Sequence, residues 1–324
     1  AWAVRDHAAA GNEVFATPDA ARTFDDNLDA VRELGIEVIS EDEARALRRT
    51  RRIGVLTPFF TSPSFIDRLR GVATALSGVR AELVVYSVDS MDILQGYLAS
   101  LPINGDLDGL IIMSLPLDEQ AAQRLQANRL QTVLIESAIT GFSAVLVDDY
   151  AGGRLAAQHL LEKGHTRCGY VYFGAHPDYA IHPETERLAG FRETLSEHGV
   201  ALPDEYIRYV PVSRYGIEEQ LRALFDLPEP PTGLFVPADD LAIRVIHRAR
   251  ELGVHTPRDI SVIGFDGIDI AEHVDLTTIS QSLVESGRTA VELLMARLTD
   301  PDRPVQHIRH GVHLIERGTT RAIE

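Results

Sequence analysis

The stretch TGLFVPADDLAIRVIHRARELGVHTPRDISVIGFD, Thr232–Asp266, decides the fold. It opens on an apolar run, GLFVPA, of the kind buried on both faces of a parallel sheet. A helix-period segment, DDLAIRVIHRARELG, follows and stops at Gly253. After a Pro-bearing loop a second apolar run, ISVIGFD, ends abruptly in a carboxylate, Asp266. Strand, helix, strand in that order implies a right-handed βαβ unit. The carboxyl ends of such strands are where open α/β sheets bind ligands. Asp266 therefore has two readings, an acceptor for a ligand hydroxyl or a cap on the next turn.

The same grammar runs outward in both directions. Upstream, RIGVLTP, ELVVYSV, GLIIMSL, TVLIES and AVLVDD are apolar runs separated by amphipathic stretches such as SFIDRLRGVATALSG and LDEQAAQRLQAN. The pattern restarts with CGYVYFG and YIRYVPV, separated by ERLAGFRETLSEHG and IEEQLRALFDL, with a crossover expected near Gly164–Arg167. The tail adds TTISQ, a helix SLVESGRTAVELLMARLTD and a last strand GVHLIERG. Two sheets of similar size side by side enclose a cleft. At 324 residues the chain is long enough for two full cores.

Composition bounds the rest. The chain carries net charge −17, which argues against a surface that binds nucleic acid nonspecifically. No apolar run approaches the roughly eighteen residues of a membrane span, and AWAVRDHAAAGNEVF lacks the basic-then-apolar order of a secretory signal. The single cysteine, Cys168, lies in an apolar run and reads as a small core residue in a reducing compartment. A cytoplasmic protein is expected. No nucleophile elbow, phosphate loop or dinucleotide fingerprint is present. His176 and His182 have no zinc-ligand spacing, so neither enzyme, cofactor nor metal is expected.

Several segments together resemble the effector-binding part of the lactose-repressor/galactose-repressor (LacI/GalR) family: RRIGVLTPFFTSPSF (51–65), HLLEKGHTRCGYV (159–171), ERLAGFRETLSEHGV (186–200), residues 230–272, and LTTISQSLVESGRTAVELLMARL (276–298). The resemblance implies an α/β fold of two doubly wound parallel-sheet lobes, of the type I periplasmic-binding-protein-like kind, with a small N-terminal helical segment. It divides the chain into 1–43, an atypical headpiece-like segment; 44–52, a hinge or linker; 53–163, lobe 1; 164–275, lobe 2; and 276–324, a crossover tail completing both lobes.

The resemblance also implies site residues. Arg187 would fork its guanidinium onto two adjacent ligand oxygens, against the alternative of a helix-surface pair with Glu184 or Glu186. Glu136, ending TVLIES, stands where the family often has Asp, to bind a hydroxyl or cationic group or to serve as an interdomain carboxylate. In the loop PFFTSPSF, Ser64 and one of Phe60 or Phe65 are candidates, the aromatic stacking on a sugar face; Tyr215 is a further candidate. Where the family frequently has Asn-Asp, this chain has Ala238-Asp239. Ala238 cannot make amide contacts, and Asp239 reads as a helix N-cap.

The remaining signal is EARALRRTRRIGVL, Glu43–Leu56. Five arginines lie within Arg45–Arg52, net +5, after a stretch 1–43 of net −8. Ala44-Arg45-Ala46-Leu47 resembles the family's hinge helix, which inserts a leucine into the DNA minor groove while basic neighbours hold phosphates. Arg45, Leu47, Arg48, Arg49, Arg51 and Arg52 are the DNA-contact candidates; a solvated basic linker is the competing reading. Residues 4–11 and 17–24 resemble the helices of a helix-turn-helix and 28–38 the last headpiece helix, but the segment is short and acidic, and phosphates repel its carboxylates. The expected function is a dimeric transcriptional regulator responding to a sugar, sugar phosphate or nucleobase, with operator DNA as its partner. The alternative is a solute-binding sensor or transport-binding protein without DNA-binding activity.

Overall fold

The computed structural model describes residues 50–174, 177–211 and 216–323, and the backbone of three short strands before them. The chain divides into two compact units, Ala1–Arg51 and Arg52–Glu324. In the first, strands β1 (Trp2–Arg5), β2 (Val14–Phe15) and β3 (Glu37–Ser40) form an antiparallel sheet in the order β2-β1-β3. The helices expected at 4–11, 17–24 and 28–38 fall largely outside the described residues. Where they overlap them the backbone is extended, and β-branched Val4 pairs with Val38 across the ladder.

The second unit holds two six-stranded sheets. That of lobe 1 runs β14 (His307–His310), β8 (Ser143–Val147), β7 (Gln131–Ile135), β6 (Gly109–Met113), β4 (Arg51–Pro58), β5 (Ala81–Val88). That of lobe 2 runs β10 (Ile207–Val210), β9 (Cys168–Phe173), β11 (Gly233–Phe235), β12 (Ser261–Asp266), β13 (Thr277–Ser280), β15 (His313–Ile315), parallel except for the last pair. Strands β6 and β12 are buried at every residue, β12 even at its terminal Ser261 and Asp266. Strand β14 was not expected: HIRH lies at a sheet edge, where half-exposed positions need no apolar run.

The chain passes between the lobes three times, after Val147, after Ser280 and between His310 and His313. The first passage comes one helix earlier than the expected crossover near Gly164–Arg167. The helix that follows it, α4 (Asp149–Glu162), packs on lobe 2 against α5 (Glu184–Glu197) at a very close crossing. A Cβ on Gly153 would fall 1.9 Å from the carbonyl oxygen of Arg187, and one on Gly190 2.1 Å from that of Tyr150. Lobe 1 has a matching crossing of α1 (Pro63–Leu76) with α9 (Leu283–Thr299), where Gly71 and Gly287 meet the carbonyls of Val284 and Arg68. The remaining helices used below are α7 (Asp239–Glu251) and α8 (Asp269–His273). Among the described residues no helix is long and apolar enough to cross a membrane.

Two buried histidines fasten the C-terminal residues to lobe 2. His159 Nε2 lies 2.8 Å from Thr320 Oγ1; His165 bonds Thr232 and Ser261, each at 2.9 Å, and the Arg321 carbonyl at 3.2 Å. Burial pushes both imidazoles below their usual 6.5. They are neutral when folded and protonate more readily when unfolded, so their contribution is complete above about pH 6.5 and is lost as pH falls below it. The stability gap between the native chain and His165→Gln, read by thermal melts, should therefore narrow from pH 7.5 to pH 5.

Candidate functional site

The carboxyl ends of both sheets face one cleft, a cavity of about 240 Å³. Seven described non-glycine residues have positive φ, and four of them line this cleft: Phe59, Ser114, Glu136 and Asp266. Such conformations persist only where surrounding structure over-determines them, and they gather at ligand-binding sites. Here that structure is a buried polar network.

From lobe 1, the Arg68 guanidinium on α1 is 2% exposed and donates to Glu136 and to the Gln281 side chain, the latter at 2.9 Å. Ser114 donates to the other oxygen of Glu136. From lobe 2, Arg187 on α5 is 4% exposed and donates through Nε to Asp149 at 2.8 Å and through Nη1 to the Pro237 carbonyl at 2.6 Å. Asp266 lies 3.9 Å from the same nitrogen, and the guanidinium carbon stacks 3.6 Å from the Phe265 ring centroid. Gln281, on the second passage between lobes, donates to Asp266 at 2.5 Å and so joins the two halves.

Burial alone would raise the pKa of Glu136, but the charge and hydrogen bonds of Arg68 carry it below the ordinary carboxylate value. Asp266 goes the other way: burial, reinforced by Asp239 and Asp240 and only partly opposed by Arg187, lifts it well above that value. Asp149 is also raised by burial against the pull of Arg187. The floor thus mixes guanidinium donors with one carboxyl group whose pKa is lowered and two whose pKa burial raises. Hydroxyl groups, which donate and accept, suit such a surface. The remaining walls include Phe59, Phe65, Tyr172, Phe173, Ala180, Ile181, Ala238 and Leu241.

The lobes touch beyond the network. The Ile181 amide of lobe 2 donates to the Ser114 carbonyl of lobe 1 at 3.0 Å, and the Tyr179 ring sits 6.1 Å from that of Phe59. Arg70 pairs with Asp269 at 2.7 Å on the exposed side.

Of the residues expected at the site, Ser64, Phe65, Glu136, Arg187 and Asp266 line this cleft. Phe60 does not; it is 43% exposed, and its neighbour Phe59, turned by its positive φ, lines the cleft instead. Tyr215 lies outside the described residues, as do Arg45, Leu47, Arg48 and Arg49. Arg51 and Arg52 begin strand β4; the Arg52 amide bonds Asp108 at 2.7 Å and its side chain pairs with Glu82 at 3.1 Å. The pattern reading missed Arg68, Ser114, Asp149 and Gln281. Arg68 alone carried a signal, since DRLRG (67–71) repeats the form of ERLAG (186–190).

Asp239 is not the N-cap expected; Ala238 holds that position. The Asp239 side chain is fully buried and accepts from the Gly267 amide at 2.7 Å, the Ile268 amide at 3.0 Å and the Thr278 hydroxyl at 2.6 Å. It clamps the turn that aims Asp266 into the cleft. Burial pushes its carboxyl up to about 7 despite those three donors.

Comparison with known proteins agrees with this architecture. A family model described as a periplasmic binding protein-like domain matches residues 157–320. A second model, of a domain of unknown function whose description names a pyruvate format-lyase activating enzyme, matches residues 1–53. The HTH-type transcriptional repressor CytR of Escherichia coli K12 is 27% identical over 305 residues, covering 91% of this chain and 86% of CytR. The ribose operon repressor of the same organism is 27% identical over 295 residues, covering 90% of this chain and 88% of the repressor. Among solved structures, a LacI family transcriptional regulator from Enterococcus faecium with bound ribose is 30% identical, covers 85% of this chain and all of its own, and superposes with a TM-score of 0.74.

Asp239→Ala tests the clamp. It leaves the Gly267 and Ile268 amides and the Thr278 hydroxyl without their acceptor. A loss of about 1–3 kcal/mol is expected in chemical denaturation at pH 8.

Proposed function

Because this chain belongs to the lactose-repressor family of transcriptional regulators, with the family's periplasmic-binding-protein-like effector module, we propose that its cleft holds a small polyhydroxylated effector and that cleft closure governs binding to operator DNA. The observation that carries this reading is the pair of buried arginine–carboxylate sets, Arg68 with Glu136 and Arg187 with Asp149 and Asp266, brought to one cavity from opposite lobes. Arg187 forks onto adjacent effector oxygens, Asp266 and Glu136 take further hydroxyls, and Phe65 with Ser64 closes the lobe 1 side. The protein acts as a non-enzymatic cytoplasmic homodimer. A ligand that binds the closed arrangement more tightly than the open one shifts the population between them. The hinge around Leu47, with Arg45, Arg48, Arg49, Arg51 and Arg52, then gains or loses its grip on the DNA backbone.

A second reading deserves a place because of the N-terminal unit. Its three antiparallel strands and its separate family match fit an effector module joined to something other than a helix-turn-helix. DNA binding separates the two. Under the leading reading the chain shifts its own upstream DNA at low salt, the affinity falls steeply as salt rises, and Arg48→Ala/Arg49→Ala weakens it. No shift at low salt contradicts it.

Effector binding has its own test, a thermal-shift screen of the full chain against D-ribose, cellobiose, nucleosides and sugar phosphates. A ligand at a hundred times its Kd stabilises the fold by about 2.7 kcal/mol. Arg187→Lys should abolish that gain, since an ammonium cannot fork onto two oxygens.

A further inference from the structure

The two lobes repeat one construction. The helix carrying DRLRG (67–71) crosses the helix carrying SGRTA (286–290); the helix carrying ERLAG (186–190) crosses the one carrying GGRLA (152–156). At each crossing the glycine three residues after the arginine meets a carbonyl of the partner helix, Val284 or Tyr150. The glycine three residues after that carbonyl, Gly287 or Gly153, meets the carbonyl of the arginine itself. Strands β7 and β12 hold the same place in their sheets, and each leads to a carboxylate at positive φ, Glu136 at 69° and Asp266 at 120°. Arg68 with Glu136 is thus the lobe 1 equivalent of Arg187 with Asp266.

Resting on the effector-binding reading above, we propose that Arg68 is a second effector-reading arginine, and that the charge set it closes selects an uncharged polyhydroxylated effector over its phosphorylated form. Each guanidinium keeps a nitrogen outside its hydrogen bonds: Arg68 Nε is buried with no partner, and Arg187 Nη2 makes no hydrogen bond among the described residues. Neither retains uncompensated charge, because Arg68 is held by Glu136 and Arg187 by Asp149. The third arginine of the cleft, Arg244, is held by Asp240 at 2.7 Å, and His182 lies 3.7 Å from Glu184. Three helix N-termini that would otherwise offer amides to an anion carry acids in their first turns: α4 with Asp149, α5 with Glu184, α7 with Asp240. The fourth, α1, begins on Pro63, which has no amide hydrogen. A hydroxyl can accept from a guanidinium and donate to the carboxylate beside it. A phosphate only accepts, and brings negative charge to carboxylates that already hold their cations.

Calorimetry on the full chain with D-ribose against D-ribose 5-phosphate, and D-glucose against D-glucose 6-phosphate, tests the selection. The neutral member of at least one pair should bind, with its phosphate about a hundredfold weaker or worse. A phosphate that binds as tightly as its parent sugar overturns the proposal while leaving the sugar-effector reading standing; failure of every member overturns both. Arg68 is tested in Arg68→Met/Glu136→Gln, which removes both buried charges together, with folding checked by circular dichroism. Its affinity for the neutral sugar should fall at least about tenfold, and an unchanged affinity contradicts the role of Arg68. Glu136→Gln alone leaves Arg68 uncompensated and should raise phosphate affinity relative to the neutral sugar by about tenfold, a change in selectivity that a purely structural ion pair would not produce.

Discussion

A continuous run of buried hydrogen bonds, Glu136 to Arg68 to Gln281 to Asp266, with Arg187 and Asp149 alongside, spans both lobes through a passage between them. Charges at this depth are tolerable only while every partner is in place; removing one member of a buried pair costs about 3–5 kcal/mol. Replacing such a pair by apolar residues is often harmless, so bulk stability does not explain the network. Its consequence is geometric. Arg68 finds acceptors in lobe 1 and on the second passage, so the relative position of the lobes and the state of the cleft floor are set by the same bonds.

Rigid supports on either side keep that geometry from relaxing. Arg68 and Arg187 each project from a helix held at backbone-to-backbone distance by glycines, which leaves the helix little room to slide. Opposite Arg187, Asp239 fixes the Gly267–Ile268 turn, so Asp266 is held in a backbone conformation that an unsupported aspartate would leave. The cost of positive φ at Ser114, Glu136 and Asp266 is offset by packing and hydrogen bonding elsewhere.

Much of this could be read from the chain. Apolar runs such as GLIIM and the VIGF of β12 announce strands of doubly covered sheets, and Asp266 at the end of the second announces a site. Arg187 and Glu136 followed from family resemblance and not from pattern. What pattern could not supply was mostly long-range. Whether Phe59 or Phe60 enters the cleft depends on one left-handed residue at a strand end. The first passage was expected a helix too late because α4 is amphipathic either way, and contacts distant in sequence, such as Gly153 with Arg187 and His159 with Thr320, assign it to lobe 2. Asp239 has the sequence signature of a cap, yet its partners lie 28 and 29 residues away in Gly267 and Ile268. Arg68 was visible only by setting one half of the chain against the other.

If one network binds the lobes, its two ends must feel each other. A double-mutant cycle on Glu136→Gln and Asp266→Asn, with stability measured by chemical denaturation in the absence of ligand, reads this directly. The account predicts a coupling energy of about 1 kcal/mol or more between residues that share no direct contact. Effects that add to within about 0.3 kcal/mol would contradict it, leaving two independent clusters on either side of an ordinary hinge.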